Sequence, residues 1–266
     1  MRQLRRHQRL LLTQAPGSLP DGLRVSATTG YPLPCRARNH GGVDSAFDHL
    51  RDHGYQRLGT LLTRRQCEHL CALYDHPGHF RSRIEMARYR FGRGEYQYFA
   101  YPLPPDVERL RVALYRDLAP AAREWMCDLG MEADYPDDLA TFLRFCHAAG
   151  QKRPTPLLLR YRAADYNALH QDLYGAVFFP FQVICCLSEP EREFTGGELL
   201  LVEQQPRAQS VGRAIRLAQG EGVVITTRYR PVRGSRGFYR TNFRHGVSPI
   251  ESGERFTLGL IFHDAE

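Results

Sequence analysis

No stretch of this 266-residue chain is apolar over anything near the ~20 residues that a membrane-crossing helix requires. The longest candidate, residues 177–187, is broken by Pro180 and Gln182. Leu10–Leu12 is too short a run for a secretory signal, so a soluble, cytoplasmic chain with no membrane partner is expected. Paired-knuckle zinc spacing is also missing. The seven cysteines are odd in number; Cys67 and Cys71 sit one helical turn apart, and Cys185 and Cys186 would face opposite sides of a strand. They read as reduced thiols acting as small buried hydrophobes. Charge of one sign is scarce where it would matter. The formal net charge is +7, but residues 1–40 hold seven of the 36 basic and one of the 29 acidic side chains, leaving the other 226 residues with an excess of one. The global basicity is therefore no evidence for nucleic-acid binding, and any such footprint must be a local patch.

Residues 1–40 carry seven Pro or Gly residues after Ala15 and little periodicity, and read as a basic, disordered extension. Residues 41–150 read as a helical layer with a strand or hairpin segment. Phe47, Leu50 and Tyr55 lead into a strand-like Leu58 to Leu62, and Thr63 is placed to cap a helix over Arg64 to Tyr74. Val107, Leu110, Leu114, Leu118 and Ala122 form a helical stripe that Pro120 interrupts, and Leu139 to Ala149 continues in the same style. From residue 151 the period shortens. Leu157–Tyr161, Val177–Leu187, Leu199–Glu203, Gly222–Thr226 and Phe256–His263 are short β-rich runs between Gly, Pro and charged turns. The expected fold is α+β, mainly β: a jelly roll over residues 151–266, covered by the helices that precede it.

The chemistry is concentrated in that second half. Leu-His170-Gln-Asp172 is followed 75 residues after His170 by Arg-His245-Gly-Val-Ser, and then by Gly-Glu-Arg255-Phe-Thr257. With 11 His in the chain, a lone His-x-Asp pair arises by chance roughly 0.6 times. Its context gives it weight. Residues i and i+2 on a strand point to one side, so His170 and Asp172 can converge on an ion, and so can Arg255 and Thr257 on a ligand. His245, between two strand-like runs, can bring a third ligand from a distant strand. Two histidines and a carboxylate occupy one face of an octahedral Fe(II) and leave three positions open. Arginine adds a planar, permanently charged fork suited to a carboxylate. His147 and His263 are rival ligands, and both read as structural.

These residues resemble the 2-oxoglutarate- and Fe(II)-dependent dioxygenases. Leu-Leu-Leu-Arg-Tyr161 lies nine residues before His170, the turn Phe194-Thr195-Gly196-Gly197-Glu198-Leu199 follows Leu187-Ser188-Glu189, and His245-Gly246-Val247-Ser248-Pro249 precedes Ser252-Gly253-Glu254-Arg255. A narrower similarity is to the bacterial Oxygenase-NA group, over roughly residues 42–265. It is carried by Phe80-Arg81-Ser82-Arg83, Phe91-Gly92-Arg93-Gly94-Glu95-Tyr96, Arg153-Pro154-Thr155-Pro156-Leu157 and Leu260-Ile261-Phe262-His263-Asp264-Ala265. The group usually has glycine where Ala163 and Ala164 stand, which bears on the turn there and not on the ligands. The resemblance implies a double-stranded β-helix, with Fe(II) on His170, Asp172 and His245. It also implies 2-oxoglutarate anchored by Arg255 with help from Thr257 and Tyr161, and O2 as the other co-substrate.

The substrate side stays open at this level. Asn167, Gln182, Arg240 and Asn242 lie near the ligands in sequence and are candidates to line it. The stretch Arg81 to Tyr101 interleaves arginines, among them Arg83, Arg88 and Arg93, with aromatics such as Tyr96. That is the composition of a base-stacking, phosphate-contacting surface. It is equally the composition of a hairpin whose aromatics pack on the core while its arginines are solvated, and this reading is favoured. The group's name points to an alkylated nucleic-acid base as substrate. A protein or peptide side chain, hydroxylated as in the prolyl hydroxylases, is the alternative, followed by a small molecule and, remotely, a non-catalytic binding module.

Overall fold

The computed structural model describes residues 46–266 apart from Glu132, Leu173 and Tyr174. The expected extension over residues 1–40 lies outside the described residues. Helix α1 (Asp48–His53) leads to β1 (Tyr55–Thr60) and α2 (Arg64–Leu73). Thr63 caps α2 through a reciprocal exchange with Gln66: each side chain accepts from the other's backbone N–H. Strands β2 (Phe80–Glu85), β3 (Gly92–Arg93) and β4 (Glu95–Phe99) precede the long α3 (Pro105–Asp128) and α4 (Leu139–Ala148). The remaining strands are β5 (Leu157–Arg162), β6 (Tyr166–His170), β7 (Phe181–Cys186), β8 (Phe194–Gly196), β9 (Leu199–Gln204), β10 (Val211–Ile215) and β11 (Glu221–Thr226). They end with β12 (Tyr229–Gly234), β13 (Gly237–Val247) and β14 (Ile250–Ile261).

Among the described residues the named strands pair antiparallel, in two sheets. The larger runs β1-β11-β7-β14-β5-β4-β2 with β8 beside β14; the smaller runs β10-β9-β13-β6-β3 with β12 beside β13. The core strands β5, β6, β7, β9, β11, β13 and β14 fall alternately in the larger and the smaller sheet, the winding of a double-stranded β-helix. Side chains alternate accordingly. Val183, Leu258, Leu260 and Phe262 share a core with Val107, Leu114, Leu118 and Phe142 of α3 and α4. Their odd-even neighbours Tyr161, Cys186, Val223 and Ile225 meet Leu201, Phe243 and Val247 of the smaller sheet. The interior between the sheets is therefore a second core, and the site is built at one end of it.

Two sequence expectations change. Pro120 does not break α3, because it lies on the exposed face, where the carbonyl it leaves unbonded reaches water. His245 is inside β13, not between strands. Cys67, Cys71, Cys146, Cys185 and Cys186 are free thiols. No helix among the described residues is long and apolar enough to cross a membrane.

Candidate metal centre

His170 ends β6 and sits directly opposite His245 of β13 in the ladder. Asp172 follows two residues later, just beyond the strand. One potential ligand atom from each of the three lies within 4.8 Å of the others. His170 Nε2 is 3.5 Å from Asp172 Oδ1, His245 Nε2 is 3.1 Å from Oδ2, and the two rings are 4.2 Å apart between centroids. His170 Nδ1 lies 2.8 Å from the Ala168 carbonyl, which suits Nδ1–H as donor and leaves the Nε2 lone pair for a metal. Burial, followed by His245, lowers the His170 pKa below the ordinary value and favours the neutral ring that a ligand must be. Burial alone would push the Asp172 carboxyl up, but the two imidazoles and the Gln182 amide outweigh it and hold the group well below the usual carboxylate range.

A β-bulge shapes this corner. Between the pairs His245↔His170 and Val247↔Asn167, β13 advances two residues while β6 advances three. The extra residue lets both Asn167 and His170 serve the interior despite their odd spacing. Gly246 permits the approach: a Cβ there would come 2.6 Å from the Asn167 carbonyl oxygen. Asn167 Nδ2 donates to the Tyr161 hydroxyl at 3.2 Å, and burial raises the Tyr161 pKa, so the phenol stays protonated.

Arg255 on β14 pairs in register with Tyr161, and its guanidinium carbon lies 5.8 Å from the ring centroids of both Tyr161 and Phe194. It is 3% exposed, and its buried Nη1 has no hydrogen-bond partner among the described residues. An unpaired buried guanidinium is costly, and a carboxylate is the group that relieves the cost. Gly197, at φ +66°, makes the space: a Cβ there would collide with Ile250 and stand 3.0 Å from Arg255 Cδ. Thr257 is buried two residues on, on the same face of β14. The donor set suits iron(II), and the arginine pocket suits the far carboxylate of a 2-oxo acid.

Of the expected substrate residues, Gln182 is in the site. Its amide nitrogen is 3.0 Å from Asp172 Oδ2 and 3.1 Å from His245 Nε2, which makes it a support for the ligands. Tyr96 also belongs here. It lies on the interior face of β4, opposite Leu159, in edge contact with Tyr98, and burial followed by the Asp172 charge pushes its phenol up to about 12. Tyr98 beside it was not singled out by the sequence, although its i, i+2 relation to Tyr96 put it on the same face. Five other candidates lie away from the metal cluster. Arg83 pairs with Glu95 and Arg88 with Glu85 on the protein surface. Arg93 is exposed on β3. Arg240 and Asn242 lie an odd number of residues from His245 on β13, so their side chains leave by the opposite face of the strand and are exposed.

Neither rival histidine belongs to the cluster found among the described residues. His147 Nε2 contacts the Asp264 carboxylate at 2.9 Å. His263 is 1% exposed and its Nδ1 accepts from the Phe179 N–H at 3.2 Å. Burial, with Arg111 nearby, drives its pKa down to about 4. The native state therefore holds a neutral ring, while the unfolded chain takes a proton near pH 6.5. The stabilisation is complete above pH 6.5 and is lost as pH falls towards 4, by about 2–4 kcal/mol. Urea unfolding across that window should show the loss, and His263→Asn, which retains an acceptor near Nδ1, should flatten it. An identical pH dependence in the variant would refute the assignment.

The chain is similar to known proteins in both sequence and fold. The Oxygenase-NA family model, described as "Oxygenase, catalysing oxidative methylation of damaged DNA", matches residues 94–265. The uncharacterized proteins MT2286 and Rv2227 of Mycobacterium tuberculosis are each 59% identical over 167 residues, which is 63% of this chain and 72% of theirs. Among solved structures, a Pseudomonas putida prolyl-4-hydroxylase is similar with a TM-score of 0.51 and 17% identity, over 82% of this chain and 96% of its own. A Trichoplax adhaerens prolyl hydroxylase, solved with a hypoxia inducible factor oxygen degradation domain peptide fragment, reaches a TM-score of 0.53 at 12% identity, over 83% and 88%. At these identities the likeness is one of fold.

Proposed function

This chain belongs to the Oxygenase-NA family of 2-oxoglutarate/Fe(II) oxygenases, and from that we propose that it hydroxylates a C–H bond on an alkylated nucleic-acid base. The observation that carries the oxygenase reading is the convergence of His170, Asp172 and His245 beside a buried Arg255 whose Nη1 has no partner among the described residues. His170, Asp172 and His245 would hold iron(II), and Arg255, with Thr257 and Tyr161, would hold the far carboxylate of 2-oxoglutarate. With O2, that pair supplies an oxidant able to take hydrogen from a C–H bond, the oxo acid leaving as succinate and carbon dioxide. The protein's own contribution is placement and dryness. Gln182 fixes Asp172 through its amide, the Ala168 carbonyl fixes the tautomer of His170, and the apolar core between the sheets backs the cluster.

The nucleic-acid assignment rests on the family description, and the chemistry it requires is concrete. An N-methyl group hydroxylated on carbon collapses to the free amine and formaldehyde. Because His245 is buried and the Asp172 side chain is only 13% exposed, a target base would have to leave a duplex to reach them. The test is succinate release with iron and 2-oxoglutarate, stimulated separately by N-methylated single-stranded oligonucleotides, a proline-containing peptide library and a metabolite pool. We expect stimulation by the methylated oligonucleotides, with formaldehyde equal to the extra succinate. Stimulation by peptides alone would replace this substrate with a protein side chain.

A further inference from the structure

Within Arg81 to Tyr101, Arg83 and Arg88 are paired with Glu95 and Glu85, and a second stretch of arginines and aromatics lies elsewhere in the chain. Residues 222–250 contain six arginines and no Asp or Glu. Arg230 is neutralised by buried Glu203, to which its Nε and Nη2 donate at 2.9 and 2.6 Å. The other five, Arg228, Arg233, Arg236, Arg240 and Arg244, have no carboxylate within 4.0 Å among the described residues, in contrast to Arg83 and Arg88. Five uncompensated charges on one segment are a local basic patch in a domain that is otherwise nearly neutral.

The fold sets Arg233, Arg240 and Arg244 on one face. From Gly237 to Thr241, β13 pairs only with β12, forming a two-stranded arm; from Asn242 onward it also pairs with β9. Tyr229 lies opposite Asn242, Pro231 opposite Arg240 and Arg233 opposite Phe238, so these six share a face, and Arg244 continues it. Phe238 is 39% exposed, a high value for phenylalanine. The Tyr229 ring has the guanidinium of Arg228 at 4.5 Å and that of Arg240 at 5.1 Å. Aromatics flanked by free arginines fit a strand whose bases stack while its phosphates are neutralised.

The arm is also tied to the metal centre. It is continuous with the strand that carries His245, and Arg240 is five residues, about 17 Å, from that ligand. Gln171, between His170 and Asp172, donates to the Phe243 carbonyl at 2.7 Å and to the Arg228 carbonyl at 3.3 Å, at the base of the arm.

We propose that the β12–β13 arm is the docking surface for single-stranded nucleic acid, with Arg233, Arg236, Arg240 and Arg244 contacting phosphates and Phe238 stacking on a base. The proposal rests on the oxygenase reading for its link to catalysis, but the surface is testable separately. The experiment uses full-length protein and a fluorescent oligothymidylate of about 15 nucleotides, with anisotropy measured across a salt series. All proteins compared retain the seven arginines of residues 1–40, so differences report the arm. Replacing the four arginines by alanine should raise Kd more than about tenfold and reduce the salt slope by roughly 0.7 for each phosphate no longer neutralised. Phe238→Ala, which changes no charge, should weaken binding about 5- to 150-fold. Arg83→Ala with Arg88→Ala should change neither. Equal affinity and slope in the arm variants would overturn the proposal, as would equal loss of binding to anionic phospholipid vesicles, which would mark a surface for anions in general. Uncoupled conversion of 2-oxoglutarate to succinate is read in parallel. Oligonucleotide binding through the arm with no succinate would overturn the oxygenase reading and leave the surface standing; succinate without oligonucleotide binding would do the reverse.

Discussion

Asp172→Ala should lose iron binding and 2-oxoglutarate turnover together. The carboxylate lies between the two imidazoles and is the single anionic member of the cluster. Without it, two neutral histidines must hold a divalent cation in a buried site, and the hard oxygen ligand that favours iron(II) over softer competitors is gone. The loss of affinity should exceed the ~10–100-fold typical of removing a group that only hydrogen-bonds a ligand. Gln182→Ala provides that smaller step in the same protein. Titration with Mn(II) followed by electron paramagnetic resonance reads metal affinity without catalysis, and succinate release reads turnover. An Asp172→Ala protein that bound metal and consumed 2-oxoglutarate normally would refute the triad.

The second large effect is on stability, far from the metal. Arg111 of α3 and Asp264 are both fully buried, and Arg111 Nη2 donates to Asp264 Oδ1 at 2.8 Å. Arg111 also donates to the Ile261 and Phe262 carbonyls and to the Tyr101 hydroxyl. Asp264→Ala would leave a desolvated guanidinium without its counter-charge and should cost about 3–5 kcal/mol. For a domain of this size that lowers Tm by about 6–20 °C. The paired replacement Arg111→Met with Asp264→Leu should recover most of the loss, because breaking a buried pair costs far more than removing both charges. Calorimetry of the two proteins decides it. A melting temperature within about 2 °C of wild type in Asp264→Ala would mean that the pair contributes little.

Arg111 also shows how the sequence misleads. The helical stripe Val107, Leu110, Leu114, Leu118 was legible, and Arg111 lies on it, one turn beyond Val107. Charge alone argued for a surface position, and only the C-terminal segment folding against α3 brings Asp264 and two carbonyls to satisfy it. The arm was hidden for a related reason. The strand pattern of β13 is a run of arginines and aromatics whose outward side chains meet no core, so no apolar alternation announced it. Arg240 and Asn242 were placed near the site because they are near in sequence. Once His245 lies on a continuous strand, their odd spacing sends them to the other face.

By itself the sequence determined the chemistry and its scaffold. His-x-Asp, a distant His and an Arg-x-Thr pair are short-range patterns, and strand periodicity of two decides which members of each pair share a side. The alternating apolar runs after residue 156 likewise require sheets with one face buried. Tertiary structure decided what depends on pairing between distant strands. It determined the bulge that turns Asn167 inward with His170, the seat of Gln182 between two ligands, and the unpaired Nη1 of Arg255. It also determined the face on which the β12–β13 arm sets Arg233, Arg240 and Arg244. Register and burial are properties of pairs of segments, and a pattern within one segment cannot contain them.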